Sequence, residues 1–104
     1  MESVVALDFE TSDKYADSAC ALGMSRVENG RVVDSWYSLI RPPRSTVYFT
    51  EIHGLTWDML KNQRSFAELW PEISSFLQGA RLLVAHNASF DRRVLFGCCR
   101  AFGL

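Results

Sequence analysis

The sequence has little of several features that mark particular protein classes. Among its 104 residues are three cysteines, two histidines and three prolines, and its formal net charge is only -1. An odd number of cysteines without zinc-ligand spacing argues against a disulfide framework or a structural zinc site. A charge so close to zero argues against a protein that coats nucleic acid through a global positive field. No apolar run is long enough to span a bilayer and no secretory signal is recognisable, so we expect a protein of the reducing cytoplasm. Cys20, Cys98 and Cys99 are then interpreted as core or near-core thiols.

The composition is that of a globular chain. Hydrophobic residues make up 48% and aromatic residues 12% of the sequence, enough to build a core. Compact domains most often have about 100 to 150 residues, so we expect residues 1–104 to form a single domain.

An apolar run near the start of the chain ends in two carboxylates. Residues 4–7 are almost continuously apolar, which predicts a strand covered on both faces of a largely parallel sheet. Strand side chains alternate between faces, so Asp8 and Glu10 should share one face while Leu7 and Phe9 lie on the other. Two converging acids favour a hard divalent cation such as Mg²⁺ or Mn²⁺ between them. The alternative is that the chain simply leaves the core here and both acids are solvated.

The middle of the chain predicts an antiparallel hairpin and a helix. Residues 19–27 and 31–40 have strand composition and flank Asn29-Gly30, a tight-turn pair. Ser65 and Glu68 have the spacing of a capping box, followed by apolar residues at helical intervals to Leu77. Pro71 lies inside this segment and predicts a kink or a break.

The end of the chain predicts a parallel strand over residues 81–85 and a helix over 92–102, with Asp91 in the first helical turn. In open α/β sheets ligands bind at the carboxyl ends of adjacent strands, so Asp8, Glu10 and Asp91 should meet. This oxygen-only set suits Mg²⁺ or Mn²⁺, and two such ions about 4 Å apart can activate water for attack on a phosphodiester. Asn87 and the helix N-terminus could add hydrogen bonds to a phosphate. His53, beside Gly54, has two interpretations: a loop histidine at a turn, or part of a ligand pocket.

These residues resemble the motifs of the DEDD-type 3′-to-5′ exonucleases. Asp8-Phe9-Glu10-Thr11 resembles the first motif of that family, and His86-Asn87-Ala88-Ser89-Phe90-Asp91 resembles the second. Residues 52–56 are similar to the intervening segment of the branch that includes the epsilon proofreading subunit of bacterial DNA polymerase III. The resemblance implies an α/β, ribonuclease H-like mixed sheet, formed by an antiparallel hairpin plus a parallel strand, with helices.

The resemblance also implies roles for individual residues. The metal ligands and catalytic residues would be Asp8, Glu10 and Asp91, and the nucleotide-binding residues would be Thr11, His53, Gly54, Asn87 and Phe90. The substrate would be a single-stranded or frayed nucleic-acid 3′ end, from which nucleoside monophosphates are released. A DNA polymerase subunit is an expected partner, and a membrane is not.

One family feature is missing up to Leu104: a third motif with a general-base histidine and a final metal-binding aspartate. We therefore expect a domain that lacks its last strand and helix, has impaired catalysis, and self-associates through the exposed edge of strand four. A non-catalytic module that binds nucleic acid or a polymerase remains an alternative, and a transposase- or resolvase-like use of the acids fits the motifs less well.

Overall fold

Residues 3–104 are described in a computed structural model, and they form a mixed sheet with helices. The elements in chain order are β1 (Ser3–Thr11), β2 (Ala19–Glu28), β3 (Arg31–Leu39), α1 (Thr50–His53), α2 (Trp57–Leu60), α3 (Phe66–Leu77), β4 (Ala80–Val84) and α4 (Ala88–Ala101). The strand order is β3-β2-β1-β4, with β1 antiparallel to β2 and parallel to β4. The predicted mixed sheet is confirmed.

The hairpin between β2 and β3 turns where the sequence predicts. Asn29 and Gly30 both have positive φ, 53° and 74°, as a two-residue turn between twisted strands requires. Glycine inside a strand often marks a bulge or a close backbone approach, but Gly23 in β2 marks neither. The register shifts of the sheet lie elsewhere, at 3/4, 10/11 and 26/27, and a Cβ at Gly23 would lie at an ordinary contact distance of 3.5 Å from the Tyr37 ring.

The helices pack on one face of the sheet. Val5, Leu7 and Phe9 are buried on that face, whereas Asp8 is exposed and Ala6 is half-buried on the other. Within residues 3–104, the expectation of equal cover on both faces of β1 is therefore wrong. The helical side of the core is formed by Phe66, Leu69, Ile73, Val94, Leu95 and Cys98.

Helix α3 begins with the predicted capping box and does not break. The Ser65 side chain accepts from the Glu68 N–H at 3.2 Å, and the Glu68 carboxylate accepts from the Ser65 N–H at 2.9 Å. The helix continues through Pro71 to Leu77. Pro71 is exposed, so its ring displaces no core side chain, and burial of the opposite face holds the helix together across the missing hydrogen bond.

Helix α4 comes very close to the loop between β1 and β2. A Cβ added at Gly97 would lie 2.5 Å from the Ala16 Cβ and 3.0 Å from the Ala16 carbonyl carbon and oxygen. The Cys98 Sγ lies 3.7 Å from the same oxygen. Glycine inside this helix therefore serves backbone packing, which compensates for its low helix propensity.

The edge strand β4 is apolar and uncovered among the described residues. Leu82, Leu83 and Val84 are exposed, as is Phe96 of the neighbouring helix. No helix within residues 3–104 is long and apolar enough to cross a bilayer.

Candidate active site

Asp91 is attached to the strand that carries the other two acids. Strand β4 pairs with β1 only as far as Ala6, opposite Val84. Beyond that point the Phe9 N–H donates to the Asp91 Oδ1 at 2.8 Å. The first turn of α4 thus takes the place of a strand partner and fixes the Asp91 carboxylate at the carboxyl end of β1.

Asp91 and Asp8 are close enough to interact electrostatically. Asp91 is only 2% exposed, and this burial raises the pKa of its carboxyl. The hydrogen bond from Phe9 opposes the rise, while the negative charge of Asp8 adds to it. Two carboxylates in this relation repel each other when ionised, and a cation between them would relieve that repulsion.

The chemistry of the donors fits a divalent cation, although the protein alone does not complete a coordination shell. Carboxylate oxygens are the ligands that Mg²⁺ and Mn²⁺ prefer. Among residues 3–104, no group of three histidine, cysteine, aspartate or glutamate side chains is assembled to hold an ion. Glu10 shares the Asp8 face of the strand, as the sequence predicts, and is half-buried. A cation beside Asp8 and Asp91 would therefore need further oxygens from water or from a phosphate.

Two of the predicted nucleotide-binding residues lie at the start of α4. Asn87 is the N-cap residue, and its Oδ1 accepts from the Phe90 N–H at a long 3.4 Å. Its amide N–H groups therefore remain available to a ligand. Phe90 is half-buried against the core, next to Asp91.

His53 links the loop after β3 to the end of β1. Its Nε2 lies 2.9 Å from the Thr11 carbonyl oxygen, and the Leu55 N–H donates to its Nδ1 at 3.0 Å. These contacts assign the neutral Nε2–H tautomer. Gly54 ends α1 in the left-handed region with φ 77°. In the structure His53 therefore joins the loop after β3 to the end of β1 at Thr11.

His86 shares a depression with Asp8, a proximity that was not predicted from the sequence. The depression has a volume of about 760 Å³ on the uncovered face of the sheet, and its lining includes Asp8, Gly23, Tyr37 and His86. Strand alternation could have predicted this position, because His86 continues the period-two pattern of β4 beyond Val84.

An ionic cluster fixes the loop that follows Thr11. The Arg44 Nε donates to the Asp13 Oδ2 at 2.7 Å, and its guanidinium also bonds the Asp17 carboxylate. Asp13 is 5% exposed. Burial by itself would raise the pKa of Asp13, but hydrogen bonds from Arg44 and the Tyr15 N–H lower it overall. No local sequence pattern predicts this ion pair, because Arg44 and Asp13 lie 31 positions apart in the chain.

A mixed sheet of this strand order, with acids at the tip of its central strand and at the start of the adjoining helix, defines an α/β nuclease domain. The RNase_T family model, described as an exonuclease, matches residues 5–102. The chain belongs to this exonuclease family. The family predicted from the two motifs is thus confirmed.

Relatives of known name are far longer than this chain. DNA polymerase III PolC-type from Thermotoga petrophila is 42% identical over 94 residues, which are 88% of this chain and 7% of that protein. The 3′-5′ exonuclease DinG from Bacillus subtilis is 32% identical over 91 residues, 84% of this chain and 10% of that protein. The chain therefore corresponds to a small part of each.

Solved structures show the same fold. Exonuclease X, in complex with 5′ overhanging duplex DNA, matches with a TM-score of 0.74 and 29% identity, over 88% of this chain and 52% of that one. Exonuclease I from Methylocaldum szegediense matches with a TM-score of 0.83 and 17% identity, over 98% and 24%. A zinc-bound complex of the E. coli enzyme with single-stranded DNA matches with a TM-score of 0.82 and 15% identity, over the same shares. The predicted ribonuclease H-like fold is confirmed.

Proposed function

We propose that this chain is a 3′-to-5′ exonuclease domain that hydrolyses the last phosphodiester of a single-stranded or frayed DNA end. The observation that carries the proposal is the hydrogen bond from the Phe9 N–H to Asp91, which holds a buried carboxylate beside Asp8 at the tip of the central strand. Asp8, Glu10 and Asp91 would hold Mg²⁺ or Mn²⁺, up to two ions. Divalent cations at such a site lower the pKa of an attacking water and stabilise the departing oxygen.

The residues of the chain position the scissile phosphate. In the reaction, water attacks phosphorus, the bond to the 3′ oxygen breaks, and a nucleoside 5′-monophosphate leaves. Asn87 and the N–H groups of the first turn of α4 donate to phosphate oxygens, because a helix N-terminus favours anions. Thr11, whose carbonyl oxygen bonds to His53, would contact the terminal nucleotide. The Phe90 ring would line the pocket for its base, where an aromatic ring can stack without reading sequence.

The proposal is tested by digestion of a 5′-labelled single-stranded oligonucleotide with Mg²⁺, with Mn²⁺ and with EDTA. We expect a ladder of products shortened from the 3′ end only when metal is present. Asp8→Asn and Asp91→Asn should each slow hydrolysis by at least about a hundredfold, since metal catalysis contributes several kcal/mol. Asp58→Asn is the matched control, because Asp58 is an exposed acid on α2. Equal digestion by Asp8→Asn, or in EDTA, would contradict the proposal.

A non-catalytic module is the second candidate, and the absence of an assembled three-ligand group in residues 3–104 favours it. Such a module would bind the 3′ end, or a polymerase such as those among its relatives, without hydrolysis. Metal-independent oligonucleotide binding with no product ladder would support it. The digestion assay together with a binding measurement on the same oligonucleotide therefore separates the two candidates.

We also propose that the uncovered edge of β4 pairs with a second copy of the chain. Unpaired backbone groups and the exposed side chains of Leu82 and Leu83 make this edge a template for strand addition. Light scattering at rising concentration should show dimers or larger species that Leu82→Lys dissociates. Val33→Lys, on the opposite edge strand and 53% exposed before substitution, is the control. A monomer at high concentration, or dissociation by Val33→Lys alone, would contradict this assignment.

A further inference from the structure

A second cleft is formed by the loops that follow β1 and β3. It has a volume of about 900 Å³, and Lys14, Tyr15, Arg44, Tyr48 and Phe49 contribute to its lining. Neither the first nor the second exonuclease-like motif includes any of these residues. The cleft therefore needs an explanation of its own.

The cleft is attached directly to the end of the acid-bearing strand. The Tyr48 N–H donates to the Ser12 carbonyl oxygen at 2.8 Å. Ser12 follows Asp8 by four residues, and an extended chain rises about 3.3 Å per residue, so the cleft begins roughly 13 Å from Asp8. A short strand of nucleic acid with its end at the acids can reach this cleft.

The walls of the cleft are held in place by partly buried ionic contacts. Arg44 bonds both Asp13 and Asp17, and its guanidinium lies 5.0 Å from the centre of the Tyr15 ring. The Asp13 Oδ1 also accepts from the Tyr15 N–H at 2.9 Å. A site built on such contacts keeps its shape before a ligand arrives, which lowers the free-energy cost of binding.

Aromatic surface in the cleft is open to solvent. Tyr48 is 71% exposed and Tyr15 is 55% exposed. Within residues 3–104, neither phenol hydroxyl makes a hydrogen bond to the protein. Large exposed rings beside a nuclease site are suited to stacking on unpaired bases, which needs no base-specific contact.

The available positive charge near these rings is that of Lys14, whose Nζ lies over the Tyr15 ring, 5.4 Å from the ring centre. The charge of Arg44 is balanced by its two aspartates, whereas exposed Lys14 forms no ion pair within residues 3–104. The Lys14 ammonium therefore suits a phosphate group.

We propose that this cleft binds an upstream nucleotide of single-stranded DNA, with Tyr48 stacked on a base and Lys14 on its phosphate. This inference rests on the proposed function, because it assigns the path of the same substrate. The cleft then supplies the local affinity that a chain of net charge -1 lacks overall.

The test is fluorescence anisotropy of a labelled oligothymidylate of about ten nucleotides, measured in EDTA so that no hydrolysis occurs. Tyr48→Leu should weaken binding about tenfold, and Tyr48→Phe should keep it, because the ring stacks and the hydroxyl does not contribute. Lys14→Ala should weaken binding and reduce its salt dependence, since one phosphate contact is lost. Lys61→Ala is the matched control, because Lys61 is an exposed cation on another surface. Circular dichroism and thermal unfolding confirm that each variant is folded.

The outcomes are distinguishable from those of the hydrolysis test. Oligonucleotide binding that depends on Tyr48 and Lys14 supports the cleft even if no product ladder forms. Unchanged affinity in Tyr48→Leu and Lys14→Ala, or no binding by the native chain, overturns it even if hydrolysis occurs. An equal loss of binding in Lys61→Ala and Lys14→Ala also overturns the proposed cleft, because the loss would then come from the reduced positive charge of the whole chain.

Discussion

The two substitutions Asp91→Ala and Asp91→Asn separate the structural role of this carboxyl from its charge. Alanine removes the acceptor of the Phe9 N–H, a bond of 2.8 Å at a residue that is 2% exposed. A buried donor without a partner costs about 1 to 3 kcal/mol. Asparagine keeps an oxygen at the same position, so the hydrogen bond survives without the negative charge.

The pH dependence of the same variants gives a second measure. Burial and the Asp8 charge raise the pKa of Asp91 above its ordinary value of 3.8. The folded state then holds the proton more tightly than the unfolded state does. The extra stability is present below the unfolded pKa and is lost as pH rises through the folded pKa. Asp91→Asn removes this loss, so its stability relative to the native chain should increase from acid to neutral pH.

Chemical denaturation in EDTA measures both effects. Asp91→Ala should unfold with a free energy lower than that of Asp91→Asn by about 1 to 3 kcal/mol, equivalent to a Tm difference of about 4 to 8 °C per kcal/mol in a domain of this size. Equal stability of the two variants would refute the reasoning, because Phe9 would then not depend on the Asp91 oxygen.

Three further substitutions test other contacts. Gly97→Ala should lower the free energy of unfolding by about 1 to 2 kcal/mol despite the better helix propensity of alanine, because the new Cβ would lie 2.5 Å from the Ala16 Cβ. In a double-mutant cycle, Ala16→Gly should restore part of the lost stability. Stabilisation by Gly97→Ala would contradict the close packing. Arg44→Gln should lower stability by about 1 to 3 kcal/mol at neutral pH. The pKa of Asp13 is lower in the folded state, so the stability that Asp13 contributes is present above pH 3.8 and is lost as pH falls through the folded pKa. The destabilisation caused by Arg44→Gln should therefore shrink in acid. A difference in stability that does not depend on pH would contradict this prediction. His53→Ala should cost about 1 to 3 kcal/mol by removing two ring hydrogen bonds, and an unchanged denaturation midpoint would show that they contribute nothing.

Local signals account for the parts of the fold that the sequence predicts well. Asn29-Gly30 can adopt positive φ at both positions, and Ser65 with Glu68 can satisfy helix N–H groups reciprocally, so each signal acts within a few residues. Pro71 shows the limit of such reasoning. Its effect on α3 depends on which face of the helix is buried, and the predicted break does not occur because the tertiary core holds the opposite face.

The candidate site also has parts that the sequence predicts and parts that it does not. Strand alternation places Asp8 and Glu10 on one face from the sequence alone. The burial of Asp91 and its hydrogen bond from the Phe9 N–H depend on where β4 ends. No local sequence pattern predicts that position. The pairing of Arg44 with Asp13, and the approach of Gly97 to Ala16, join distant segments and required the structure.

The central claim is that the carboxylates at the tip of β1 and at the start of α4 hold a divalent cation together. Isothermal titration of the native chain with Mn²⁺ tests it most directly, with Asp8→Asn, Asp91→Asn and the exposed-acid control Asp58→Asn measured alongside. The account predicts saturable binding by the native chain and the control that is lost in both site variants. Absence of binding by the native chain, or binding that survives in Asp8→Asn and Asp91→Asn, would contradict it.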